Sequence, residues 1–129
     1  MLTTGMSLEQ KIVVTEKVTA DNFGSGILPV YATPCMIGLM ENTANLCVQP
    51  HLDEGCGTVG TSVNIKHVAE TQIGMTVTCV AKLVEIDRRR LVFEVKAFDE
   101  AGLIGEGIHE RFIIDNEKFM AKVNAKKNK

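Results

Sequence analysis

The chain has 129 residues, 45% of them hydrophobic, which suits one domain with a proper core. Its net charge of −2 and pI near 5.9 exclude the basic excess of a nucleic-acid binder. With one Tyr and no Trp there is also no aromatic platform on which bases could stack.

The first residues, MLTTGMSLEQK, carry neither a basic leader nor an apolar stretch, so no signal peptide is expected. Leu8 to Val18 is rich in β-branched residues and predicts a strand. The glycines and prolines of DNFGSGILPVY predict a loop. Thr33 before Pro34 predicts a helix start, with Thr33 as N-cap and Pro34 as first helical residue. The helix continues to about Val48, and Pro50 stops it. Asn22 to Met40 is uncharged, but its two prolines and three glycines are too disruptive for a membrane span.

Everything that follows reads as strand. In Thr58 to Val68, Val59, Thr61, Val63, Ile65 and His67 alternate onto one face. Met75 to Ile86 and Leu91 to Phe98 flank a charged hairpin tip, Asp87 to Arg90. Leu103 to Ile114 is the last long strand. The lysine-rich tail from Glu117 predicts a helical turn or two and then fraying from about residue 120. Short turns between long strands force antiparallel hairpins. The expected fold class is α+β: one domain over 1–129, with a sheet wrapped around a central helix that is apolar nearly all round.

Cys35, Cys47, Cys56 and Cys79 show no CxxC spacing and predict reduced thiols in a cytoplasmic protein. No metal-ligand spacing is present, so no metal is expected. GCGTVG, Gly55 to Gly60, matches a dinucleotide fingerprint, but a helix precedes it and a strand follows, the reverse of what that motif needs. Its glycines are expected to shape a turn and admit a close approach by backbone or ligand.

The one charge within Ala32 to Val48 is Glu41. An unpaired buried carboxylate costs several kcal/mol, so Glu41 needs a wet pocket, hydrogen-bond partners or a proton. Thr33 and Glu41, eight apart, share a helix face, and His67 lies on the strand that follows. Each has a bland reading: Thr33 as an N-cap, Glu41 capped by Asn42, Asn45 or a backbone group, His67 as a satisfied core histidine. Together they compose an acid–base set suited to acyl transfer, with helix and glycine N–H groups to hold an oxyanion.

The segments ATPCMIGLMENTA, GTVGTSVNIKHVAET, IDRRRLVFEVKAFDE and IGEGIHERFIID resemble, in order and from about Val30 to Val123, the hot-dog-fold thioesterases of the fluoroacetyl-CoA thioesterase type. The Thr33–Glu41 spacing, the 26 residues from Glu41 to His67, and Gly60-Thr61 carry the likeness. It implies the hot-dog fold and hydrolysis of an acyl-CoA without metal or redox cofactor, coenzyme A being part of the substrate. It also implies a homodimer or dimer of dimers, with sheets joined edge to edge and the active site at the interface.

Thr33, Glu41 and His67 would be the catalytic set. Glu41 would be nucleophile or general base, Thr33 would orient it or help bind the thioester, and His67 would act on the departing thiolate. Gly60, Thr61, Ile27 and Arg111 would bind substrate. Where the family member selective for fluoroacetyl has an aromatic gate, this chain has Ile27, which points to a short or medium acyl group. Arg88 to Arg90 read most simply as a solvated tip that could also meet CoA phosphates. The competing readings are a non-catalytic acyl-CoA or small-ligand binder on the same fold and, behind it, an enoyl-CoA hydratase.

Overall fold

The computed structural model describes residues 1–128. β1 (Ser7–Val13) leads through a 3-10 turn (Glu16–Val18) to the short α1 (Ala20–Phe23) and a loop. The long α2 (Thr33–Val48) is followed by β2 (Cys56–His67), β3 (Thr76–Asp87), β4 (Arg90–Asp99), β5 (Gly102–Asp115) and α3 (Asn116–Lys127). One five-stranded sheet in the order β1-β3-β4-β5-β2 is antiparallel throughout. The α+β expectation holds, and the sheet has no βαβ unit for a dinucleotide.

The core lies between one face of α2 and one face of the sheet. Met36, Met40, Ala44, Cys47 and Val48 point from the helix at Val77, Cys79, Ala81, Leu83, Leu91, Phe93 and Val95, all buried. Each Val, Leu, Met or Phe among them contributes about 1.5–3 kcal/mol on burial. The buried Thr43 hydroxyl donates to the Leu39 carbonyl (2.7 Å) and accepts from Gln10 Nε2 (2.8 Å), so it leaves no polar debt in the core.

Four local expectations change. β1 ends at Val13, because the chain turns into the 3-10 segment there. The cap of α2 is Ala32, and Thr33 is already helical, which leaves its hydroxyl free for another bond. The helix is covered on one face only in this chain: Gly38, Asn42 and Leu46, four apart, lie open. The tail is more ordered than expected, with α3 running three turns from an Asp115 cap whose side chain accepts from the Lys118 N–H at 3.0 Å. Among the tail lysines, Lys129 lies outside the described residues.

The alternation expected along β2 is also broken. Gly60 pairs with Arg111 and Ser62 with Glu110, so Thr61 is the extra residue of a β-bulge. The bulge swaps parity: Thr58 and Gly60 face α2 before it, Ile65 and His67 after it. Val59 therefore does not share His67's face.

On β5, Gly105 and Gly107 let neighbours approach closely. A Cβ on Gly105 would meet the flexible end of Met36, whereas one on Gly107 would strike the backbone of Asn64 and Ile65, which cannot yield. Gly107→Ala is expected to destabilise by about 3 kcal/mol and to lower the thermal midpoint by roughly 10 °C, read by circular dichroism. Gly105→Ala should be milder.

Candidate active site

At the start of α2, Thr33 Oγ1 lies 2.7 Å from His67 Nδ1 near the end of β2. The freed hydroxyl found above is thus bonded to the imidazole. The other ring nitrogen, His67 Nε2, is buried and has no hydrogen-bond partner among the described residues. Leaving such a group unpaired costs about 1–3 kcal/mol. Beside Thr33 opens a cavity of about 260 Å³, whose wall includes Ile27, Leu28, Val30, Tyr31, Pro34 and Glu70. Ile27 is 90% exposed at its mouth.

Glu41 stands elsewhere. Eight residues of helix separate it from Thr33, about 12 Å of axial rise. Its Oε2 lies 2.8 Å from the point where a Cβ on Gly60 would stand, with His109 Cε1 at 3.2 Å and Arg111 Nη1 at 3.5 Å. The third glycine of GCGTVG thus admits a carboxylate, as a close approach requires. Asn45, one turn beyond Glu41, does not cap it; Asn45 Oδ1 accepts from the Thr58 hydroxyl at 3.0 Å. Glu41 makes no hydrogen bond or ion pair with Thr33 or His67 of its own chain among the described residues.

Arg111 and His109 form the floor under Glu41. Arg111 is 7% exposed. Its Nε donates to Thr58 Oγ1 (2.7 Å) and Nη2 to the Thr58 carbonyl (3.0 Å). Burial pushes its pKa down, and the charge of Glu41 opposes that. His109 bonds the Ser62 carbonyl and Arg111, and burial, reinforced by the Arg111 charge, pushes its pKa down against the opposing Ser62 bond and Glu41 charge.

The structure thus splits the expected catalytic residues into two subsites, one of Thr33 and His67 and one of Glu41, Gly60 and Arg111. Thr61 is in neither; its hydroxyl donates to the Glu110 carbonyl at 3.2 Å. His109 was visible in the sequence beside Arg111, and the alternation of HER puts both on one face; the Asn45–Thr58 brace left no sequence signal. At the hairpin tip Arg90 is held by Glu85 and Glu110 (2.8 Å each) on the opposite face of the sheet, and Arg88 and Arg89 are exposed. All four cysteines are free. No helix among the described residues is long and apolar enough to cross a membrane.

A five-stranded antiparallel sheet laid on one long helix is the hot-dog arrangement. Solved structures agree. A hot-dog-like protein from Thermanaerovibrio acidaminovorans shares the fold at TM-score 0.88 and 21% identity, over 95% of this chain and 91% of that one. A hypothetical protein of the thioesterase superfamily from Thermus thermophilus superposes at TM-score 0.90 with 31% identity, over 98% and 93%. The chain belongs to the fluoroacetyl-CoA-specific thioesterase family, whose model matches residues 14–117. The fluoroacetyl-CoA thioesterase of Streptantibioticus cattleyicolor is 44% identical over 97 residues, 75% of this chain and 70% of the relative. A solved fluoroacetyl-CoA thioesterase superposes at TM-score 0.92 with 36% identity, over 98% of each chain.

Proposed function

We propose that the protein hydrolyses the thioester of a short acyl-CoA to the free acid and CoA, at a site completed by two copies of the chain. The carrying observation is the separation of the two subsites, one with an imidazole nitrogen and one with a carboxylate that have no bonding partner among the described residues. They flank the exposed run Gly60–Asn64 of β2, Gly60 at one end and His67 three residues past the other. β2 is an edge strand of the sheet, with one side of its ladder open to pairing. A symmetric antiparallel pairing of two such edges sets the Glu41 subsite of each copy against the Thr33–His67 subsite of the other.

In that arrangement Glu41 attacks the thioester carbonyl or takes a proton from the water that does. The Gly60 amide and an Arg111 N–H meet the developing oxyanion. Thr33 donates its hydroxyl hydrogen to His67 Nδ1, which leaves a hydrogen on Nε2 that bonds and stabilises the departing thiolate sulfur, while the proton taken from water passes through Glu41 to the thiol. No metal and no redox cofactor enters; coenzyme A arrives as part of the substrate. The modest cavity beside Thr33 and the aliphatic Ile27 at its mouth favour a short acyl chain without selectivity for fluoroacetyl. A solved relative in complex with acetyl-CoA supports that size class.

The test is a series of acyl-CoAs from acetyl to octanoyl, with released thiol read colorimetrically against a blank for the protein's own cysteines. Turnover should peak among the shorter acyl groups. Tight CoA binding with no hydrolysis of any of them would instead establish a binding protein on the same fold.

A further inference from the structure

His109 is fully buried, takes no part in the steps above, and has both ring nitrogens engaged. Its Nδ1 lies 2.8 Å from the Ser62 carbonyl, which can only accept, so Nδ1 carries the hydrogen. Its Nε2 lies 3.2 Å from Arg111 Nη1. A guanidinium has donors and no acceptor, so Nε2 must be the bare lone pair. The neighbours therefore allow one state, the neutral imidazole protonated at Nδ1. A second ring proton would point N–H at N–H, between two cations. Burial, and after it the Arg111 charge, disfavour the imidazolium and outweigh the Ser62 carbonyl, Glu41 and Glu110, which favour it. The Phe93 ring, 6.3 Å away between centroids at 30°, holds the imidazole plane. The Thr61 bulge sets the Ser62 carbonyl in register.

Arg111 has five N–H groups. Thr58 takes two and His109 one. One N–H remains on each terminal nitrogen, and Nη1 lies 3.5 Å from the gap beside Gly60, where Glu41 Oε2 also ends. No ion pair within 4.0 Å joins Glu41 and Arg111 among the described residues, so the spare N–H is open to a carbonyl or carboxylate oxygen.

We infer that His109 is a positioning residue, whose bare Nε2 holds Arg111 Nη1 at the Gly60 gap so that the remaining N–H meets the acyl oxygen. The inference rests on the reading of Glu41 and Gly60 as the reaction centre.

Two substitutions separate positioning from packing and from acid–base chemistry. His109→Gln keeps an acceptor for Arg111 and a donor for Ser62 but cannot titrate. His109→Leu keeps apolar bulk and breaks both bonds. On the best acyl-CoA of the series, His109→Leu should lose about 10²-fold in kcat/KM, most of it in kcat, and His109→Gln should recover all but a few-fold. Equal loss in both variants, or no loss in His109→Leu, overturns the proposal. Nitrogen-15 NMR of the wild type decides independently of turnover and of whether His109→Leu folds. The neutral Nδ1–H signature should persist as pH falls from 8 to about 5.5, below the ordinary His value of about 6.5. An imidazolium or an Nε2–H tautomer at neutral pH also overturns it. If no acyl-CoA is hydrolysed, the functional reading fails, and the NMR result still tells whether His109 holds Arg111.

Discussion

Mixing two inactive variants, Glu41→Gln and His67→Ala, is expected to restore about a quarter of the wild-type activity. Each homodimer would carry one defect in every site. Removing the base or nucleophile should lower kcat by about 10²–10⁴-fold, and removing the imidazole that stabilises the thiolate by about 10²–10³-fold. In a heterodimer one site receives both defects, while the other combines the intact Glu41 of one chain with the intact His67 of the other. Random exchange makes half the dimers mixed, with one competent site in two, which gives roughly a quarter of all sites. The argument depends on the roughly 12 Å of helix between Thr33 and Glu41. No side-chain rotation closes that distance within one chain, because Thr33 is tied to His67 and Glu41 faces Gly60. A site lying wholly within one chain predicts no recovery at any mixing ratio. The exchange is followed by unfolding and refolding the two variants together, with refolded wild type as the reference.

The fold was legible because its signals are periodic. Apolar runs separated by Gly74, by the Asp87–Arg90 tip and by Asp99–Gly102 can hardly be other than hairpins. The site was legible as a list of residue types and not as a geometry. A one-residue bulge at Thr61 leaves no mark in the alternation, yet it decides that Gly60 and His67 share a face. Helix spacing likewise put Thr33 and Glu41 on one side, and both meet β2, but the two turns of helix between them make that side two places. The Arg111 environment was ambiguous for a different reason: His109 lies two residues along the same strand, but Thr58 reaches it only through a pairing of β2 with β5 fixed by tertiary register. Glu41 is tolerated in an apolar helix because the sheet opposite offers it a glycine, a guanidinium and a gap.

That gap makes Gly60→Ala the sharpest single probe of the site. A methyl there would stand 2.8 Å from Glu41 Oε2, 3.2 Å from His109 Cε1 and 3.5 Å from Arg111 Nη1. The nearest of these is the free end of a flexible side chain, so the carboxylate moves aside at little cost to the fold. The backbone of Gly60 has no left-handed torsion that an alanine would strain. Stability should therefore stay within about 1 kcal/mol of wild type, in contrast to Gly107→Ala, where backbone atoms block the way. Activity should not be spared. The methyl occupies the space proposed for the thioester oxygen and displaces the carboxylate by an ångström or so, and a misplacement of that size costs about 10²-fold in kcat/KM. A melting curve and a kinetic profile on the same preparation decide the matter. Unchanged melting with lost turnover places the reaction at the Gly60–Glu41 gap. Full turnover would move it away from Gly60 altogether, and Glu41 would revert to a partly solvated structural acid.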